Sequence, residues 1–425
     1  MRPILPLAIR PFVPSRRRTR LRSDSGLRGA VAGLLMAALV ANPAAANPQG
    51  GTVTAGSATI STPTATTTQV TQTTSKAVVD WQSFSIGNGE TTSFIQPSSD
   101  SITLNRVVGG VPSEILGRLT ATGQVWLVNP NGIFFGTSAT VDVAGLLATT
   151  QDIRNADFMA GRYDFRATGP GGYVINQGNI TVADTGLVGL VAPYVANRGI
   201  ITARLGEVAL GSGSAFTVDF YGDQLINLAL DQPVTAPVKD NTGKTVTSLV
   251  ENSGKIFADG GRVTLTAAAA KGVVDKVIDT SGVIQANSVL EKNGEIYLLG
   301  EGGSVEVSGT LSAAGTSTGA KGGAVVVTGD TVAVKSTAKV NVSGASGGGQ
   351  ALIGGDIQGG KASTETLTRY ATSNYRKAVP TATKTTVEAG ATITADATVN
   401  GKGGKIVVWS EAVSYTHLAG DSQMT

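Results

Sequence analysis

At 425 residues the chain is long enough for one large elongated domain or two or three compact ones. Glycine is abundant at 56 residues, aromatics are 5% and charged residues 15%, a profile of short β-strands joined by many turns that excludes a mainly helical or a disordered chain. The net charge of +3 is misleading, because residues 1–46 hold eight arginines against Asp24; removing that +7 leaves −4, and no basic stripe for nucleic acid remains.

The arginines at 16–28 precede an apolar stretch, AVAGLLMAALV (30–40), followed by ANPAAANPQGG. Eleven apolar residues are too few to span a bilayer, and Ala44-Ala45-Ala46 supplies a small-x-small site. Residues 1–46 are therefore expected to be a signal peptide with an extended n-region, handed to the general export machinery and cleaved between Ala46 and Asn47. The chain has no cysteine. An exported chain without disulfides is stabilised by packing and hydrogen bonds alone, and it can be threaded through a pore as an extended strand.

GGTVTAGSATIS (50–61) alternates cleanly at the start of the mature chain and predicts an N-terminal cap. Further on, QVWLVNPNGIFFG (124–136) sets a tight polar turn between two β-forming runs. Pro130 fixes φ for a type I or II turn, Asn129 and Asn131 tolerate left-handed backbone and bond back to it, and Gly132 lets the chain leave the turn. Two readings stay open: a folding corner, or a contact made through exposed amides.

QDIRNADFMAGRYDFRATG (151–169), aromatic and charged, predicts an excursion packed on the outside. Then repetition sets in. INQGNITVAD (175–184) and ANRGIITARLG (196–206) place Asn176 and Asn197 in equivalent positions, and ENSGKIFADGG, DTSGVIQANS, VSGTLSAAG and AGATITADA carry the same polar-Gly-x-aliphatic-x-Ala phrase. One such unit cannot bury its apolar side alone; stacked neighbours can. The repeat predicts a β-solenoid of about fifteen coils, a rod on the order of 70 Å long, in preference to a sandwich. The stretch 216–248 interrupts it like a hairpin that becomes turn-rich. The stretch 361–386, with Arg369, Tyr370, Tyr375 and Arg376, reads as a solvated loop. After GKIVVWSEA the phrase is lost, and 413–425, with the only histidine, His417, reads as a non-native tail.

One histidine in that tail allows neither a Ser-His-Asp triad nor a Cys-His pair, and zinc would need a carboxylate-only site. IGGDIQGGK (353–361) occurs once and reads as a glycine-rich corner. The enzymatic rival, a carbohydrate-cleaving β-helix, needs carboxylates gathered on one face. Here Asp184, Asp259 and Asp396 each follow the alanine of a repeat phrase, a position that predicts an aspartate capping its own turn. No enzymatic activity and no cofactor or metal site are expected.

Residues 78–153 resemble the filamentous-haemagglutinin N-terminal family, the two-partner secretion (haemagglutination activity) domain. The likeness rests on Asp-Trp-x-x-Phe-x-Ile (Asp80, Trp81, Phe84), then Leu-Asn-Arg-Val (Asn105, Arg106), then Asn-Pro-Asn-Gly-Ile (Asn129, Pro130, Asn131, Gly132), and runs in weaker form from near Gly50 to about Ser410. The resemblance implies a right-handed parallel β-helix, here with an N-terminal cap and extra-helical hairpins. It also implies export through the periplasm and translocation by a dedicated outer-membrane β-barrel partner with periplasmic domains. It makes the Asn129–Gly132 turn the secretion motif; the Asn-Pro-Asn-Leu motif of some members is absent. On this reading residues 47–300 form the secretion domain and 301–412 continue the solenoid. The whole is the secretion-targeting part of an adhesin- or haemagglutinin-like protein, secreted or held at the surface of a Gram-negative bacterium, where it meets a host or neighbouring cell. A polysaccharide-processing β-helix and an autotransporter passenger are the alternatives.

Overall fold

The structure, a computed structural model, describes residues 47–415 apart from 170, 221–225, 290–291 and 361–378. The leader with Ala46, the residues beyond 415 with His417, and Arg369, Tyr370, Tyr375 and Arg376 lie outside the described residues. Three long sheets run through the described chain, of twelve, ten and twelve strands, built by successive returns of the chain to the same three faces. One coil shows the path. Leu187–Val191 lies in the first sheet, Tyr194–Asn197 in the second and Ile200–Thr202 in the third, and Glu207–Ser212 then returns to pair in parallel with Leu187–Val191. This is the expected parallel β-helix.

Alternation explains the faces. Val188, Leu190, Val208, Leu210, Val263 and Leu265 point into the interior from the first sheet, and Ile180, Ile201, Ile256 and Ile284 from the third, all buried. Burying each such side chain fully contributes about 1.5–3 kcal/mol, offset by the ordering of the rung that carries it. The glycine of the repeat phrase has a separate cause. A Cβ on Gly199 would stand 2.2 Å from the Gly178 carbonyl oxygen, and one on Gly254 2.2 Å from that of Gly199, so the corners stack closer than any side chain allows. Beside them runs a buried ladder: Asn176 Nδ2 donates to Asn197 Oδ1 (2.9 Å), and Asn197 Nδ2 to Asn252 Oδ1 (2.8 Å).

The near end is closed by reversed strands. β1 (Thr52–Ala55) pairs antiparallel with β4 (Lys76–Trp81), and β2 (Ala58–Thr64) antiparallel with β3 (Thr67–Gln72), which places the cap where the sequence predicts it.

Two excursions meet. After the short helix Asn155–Met159, Tyr163–Arg166 pairs antiparallel with Ala215–Phe220, which pairs with Ile226–Gln232. They cover the outer face of the first sheet with a second core, in which Trp126 meets Tyr163 at 4.8 Å and Phe165 stacks on Phe216 at 4.6 Å. The 216–248 stretch is thus a hairpin, as expected, but one sewn to the 151–169 excursion.

Three expectations are corrected. The longest sheets hold twelve strands rather than fifteen, because the excursions consume chain without adding rungs, and the stack is roughly 50 Å long. The loop expected over 361–386 ends earlier. Val379 packs with Tyr297, Val326, Leu352 and Val407 on the first sheet, and Lys384–Val387 is a ladder strand. The ladder also passes the expected end at 412, since Ala412–Tyr415 pairs in register with Lys384–Val387.

Candidate recognition site

Strand Gln124–Val128 ends the first-sheet run of its coil, and Ile133–Phe135 begins the second-sheet run. Asn129, Pro130, Asn131 and Gly132 make the corner between them. The Gly132 N–H donates to the Asn129 carbonyl (3.1 Å), closing a β-turn, and the Asn131 N–H donates to Asn129 Oδ1 (3.0 Å). Gly132 has φ +119°, and a Cβ there would lie 2.9 Å from the Tyr173 ring.

The asparagine amides face inward. Asn129 is fully buried, and its Nδ2 donates to the Val111 carbonyl and to Ser113 Oγ, each at 3.0 Å. Asn131, half-buried, donates through Nδ2 to the Gly109 carbonyl (3.0 Å) and to Asn129 Oδ1 (3.2 Å). All these acceptors except Asn129 itself belong to the same corner one coil earlier. The motif is thus a corner whose amide donors are bonded within the fold.

Parallel pairing brings the other motif residues together. β4 pairs with Ile102–Val107, setting Asp80 beside Arg106 and Val79 beside Asn105. Trp81 is buried in the interior, where its Nε1–H donates to Asn105 Oδ1 (3.0 Å) and its ring meets Phe84 edge-on at 5.6 Å. Arg106 points outward. Its Nη1 donates to Asp80 Oδ1 (2.9 Å) and Asn155 Oδ1 (2.8 Å), its Nε to Asp152 Oδ1 (2.8 Å), and its Nη2 to the Ile153 carbonyl. Burial alone would lower the guanidinium pKa, but the hydrogen bonds and charges of Asp152 and Asp80 outweigh it and raise the pKa. Arg106 therefore clamps the root of the outer excursion to the first coils. A cleft of about 810 Å³ opens beside it, flanked by Arg154, Asp157, Asp164 and Arg166.

Asn47, the residue after the expected cleavage point, is buried, and its carbonyl accepts from Gln49 Nε2 (2.9 Å). The aspartates of the repeat phrase are not gathered. Asp184 pairs with Arg204 (2.7 Å), while Asp259 accepts from Gln285 Nε2 and the Asn287 N–H, so it caps the next coil's turn and not its own. Among the described residues no group of three or more His, Asp or Glu side chains is placed to hold a metal. Sequence reasoning missed Asp152 and Asn155, the partners of Arg106, and the 108–112 segment that receives the asparagine amides. The run VVGGVPS directly after Leu-Asn-Arg held the only signal for that segment.

Comparison with known proteins agrees with this arrangement. The profile of the TPS secretion domain matches residues 44–313. The chain is 33% identical over 250 residues, 54% of its length, to a heme/hemopexin-binding protein of Haemophilus influenzae, and 35% identical over 238 residues to the protein of that name from strain Rd. It spans about a quarter of the length of those relatives, 25% and 24%. The solved HMW1 secretion domain from Haemophilus influenzae superposes with a TM-score of 0.71 at 30% identity, covering 86% of this chain and 88% of that one.

Proposed function

We infer the role of this chain from the premise that it belongs to the TPS secretion domain family. It is a secretion domain, the part of a large exported protein that an outer-membrane transporter recognises, and proteins of this kind reach the surface or surroundings of Gram-negative bacteria. The observation that carries the reading is the β-helix whose first coils gather Asp80, Trp81, Asn105, Arg106 and the Asn129–Gly132 corner beneath an antiparallel cap.

The finer steps are our proposal. The leader delivers the chain to the periplasm and is cut between Ala46 and Asn47. Periplasmic domains of the transporter then engage residues 47–300, while 301–412 continue the rod. The rest of the protein, adhesin- or haemagglutinin-like, meets a host or neighbouring-cell surface, and the chain itself does no catalysis. The periplasm supplies no ATP, so outward movement needs an intrinsic bias. Rungs folding one on another at the exit supply it, each burying apolar area worth about 25 cal/mol per Å².

The test is export of the chain from cells with and without an outer-membrane two-partner transporter of the same bacterium. We expect surface or medium delivery only with the transporter, and a mature N-terminus at Asn47. Delivery at the same rate in cells lacking the transporter would refute the proposal.

A further inference from the structure

Each asparagine amide of the Asn129–Gly132 corner sends one hydrogen bond to a short stretch, Val108-Gly109-Gly110-Val111-Pro112, which adds nothing to the interior. The backbone of this stretch is held at Val108, Gly109 and Val111, and again at Ser113 directly after it. The Val108 N–H donates to the Trp81 carbonyl (2.8 Å), the Gly109 carbonyl accepts from Asn131, the Val111 carbonyl accepts from Asn129, and the Ser113 N–H donates to the Gly132 carbonyl (3.0 Å). Gly109 lies against the Gln82 carbonyl oxygen so closely that a Cβ would sit 2.0 Å from it. The two valines, by contrast, are turned out to water, Val108 52% and Val111 53% exposed. Burying an amide as deeply as that of Asn129 costs free energy unless its bonds are made. Here part of that cost holds the buried Ser113 at the start of the next strand, and the rest secures an exposed, uncharged, aliphatic loop.

We propose that this loop is the surface the transporter reads, with Val108 and Val111 entering an aliphatic pocket of its periplasmic portion, and that Asn129 and Asn131 are positioning residues that hold the loop ready. The proposal rests on the reading that a transporter engages this chain. Three features argue for such an occupant. The segment 107–113 carries no charge, so recognition there is by apolar burial and not by ion pairing. Its backbone is already ordered, so little entropy is lost on docking. A Cβ on Gly110 would meet nothing within 4 Å, which leaves the tip between the valines clear for a partner.

The test measures affinity of the purified full chain for the detergent-solubilised transporter of the same bacterium, together with export. Val108→Ser/Val111→Ser is expected to weaken binding about tenfold or more, equally at low and high salt, with an unchanged melting temperature. Gly110→Glu, which meets open space, should do the same by obstruction. Asn131→Ala should also weaken binding, and it alone should raise amide exchange across 108–112. Wild-type affinity in the valine and Gly110 variants, with the wild-type chain bound and exported normally, overturns this assignment and leaves the secretion role standing. A wild-type chain that its transporter neither binds nor exports overturns both.

Discussion

Replacing Asn197 by alanine tests the physical account of the rod most directly. Asn197 is fully buried; its Oδ1 accepts from Asn176 Nδ2 at 2.9 Å, and its Nδ2 donates to Asn252 Oδ1 at 2.8 Å. Truncation strands a donor on the rung below and an acceptor on the rung above. At about 1–3 kcal/mol for each buried group left without a partner, the expected cost is about 2–6 kcal/mol, before any contribution from the space left behind. Solenoid stability is distributed along the stack, so a single global midpoint would dilute the effect. Native-state amide exchange reads it locally. The N–H groups of Arg198 and Gly199, both bonded to the Asn176 carbonyl, should open more easily by several kcal/mol, while rungs beyond residue 325 keep their protection. Asn179→Ala, an exposed position in the same coil as Asn176, should change exchange by no more than about 0.5 kcal/mol. A cost below about 1 kcal/mol for Asn197→Ala, or one matching Asn179→Ala, would refute the claim that the ladder's hydrogen bonds hold neighbouring rungs together.

Arg106→Ala should cost about 3 kcal/mol by leaving Asp80 and Asp152 without their shared cation, and limited proteolysis should then cut within 151–169 first; a resistant segment would show that Arg106 is not its anchor. Glu251 makes an acid-sensitive contact with Tyr194 (2.9 Å) and Arg198 (3.2 Å). Burial alone raises its pKa, but the Arg198 pairing and the Tyr194 hydroxyl outweigh that and hold it below its ordinary 4.5. A depressed carboxylate contributes stability above its unfolded pKa and loses it as pH falls through the folded value, so thermal stability should drop below about pH 4.5, and Glu251→Gln should shrink that drop. Ile256→Asp, at a fully buried mid-rod position, should slow surface delivery while leaving transporter binding intact; an unchanged delivery rate would count against folding-biased export.

The rod was legible because its grammar is local. Asn176 and Asn197 sit opposite each other in the ladder as the repeated phrase predicts, and Gly178, Gly199 and Gly254 stack where the phrase repeats its glycine. What stayed hidden depends on contacts between distant segments. Nothing near Phe165 says that it will stack on Phe216, nor does the Asp-Trp motif reveal that Arg106 reaches Asp152 and Asn155. The aspartate of the repeat phrase misled for a related reason. A turn-capping residue in a stacked fold can serve the turn above it, as Asp259 does for Asn287, and a reading confined to one turn does not see the next. The Asn-Pro-Asn-Gly stretch declared itself a turn, while the target of its amides, one coil away, could not be read from the turn itself.

From Asn176 to Asn197 the chain travels 21 residues before returning to the same position, and from Asn197 to Asn252 it travels 55, yet the two bonds differ by only 0.1 Å, 2.9 against 2.8 Å. Closing the longer detour costs about 0.9 kcal/mol more than the shorter one. The exposed turn at 241–243 within that detour is a natural grafting point: an enzyme, an epitope or a fluorescent tag inserted there would hang from the spine as a branch hangs from a trunk, and the spacing of the trunk would not register its weight.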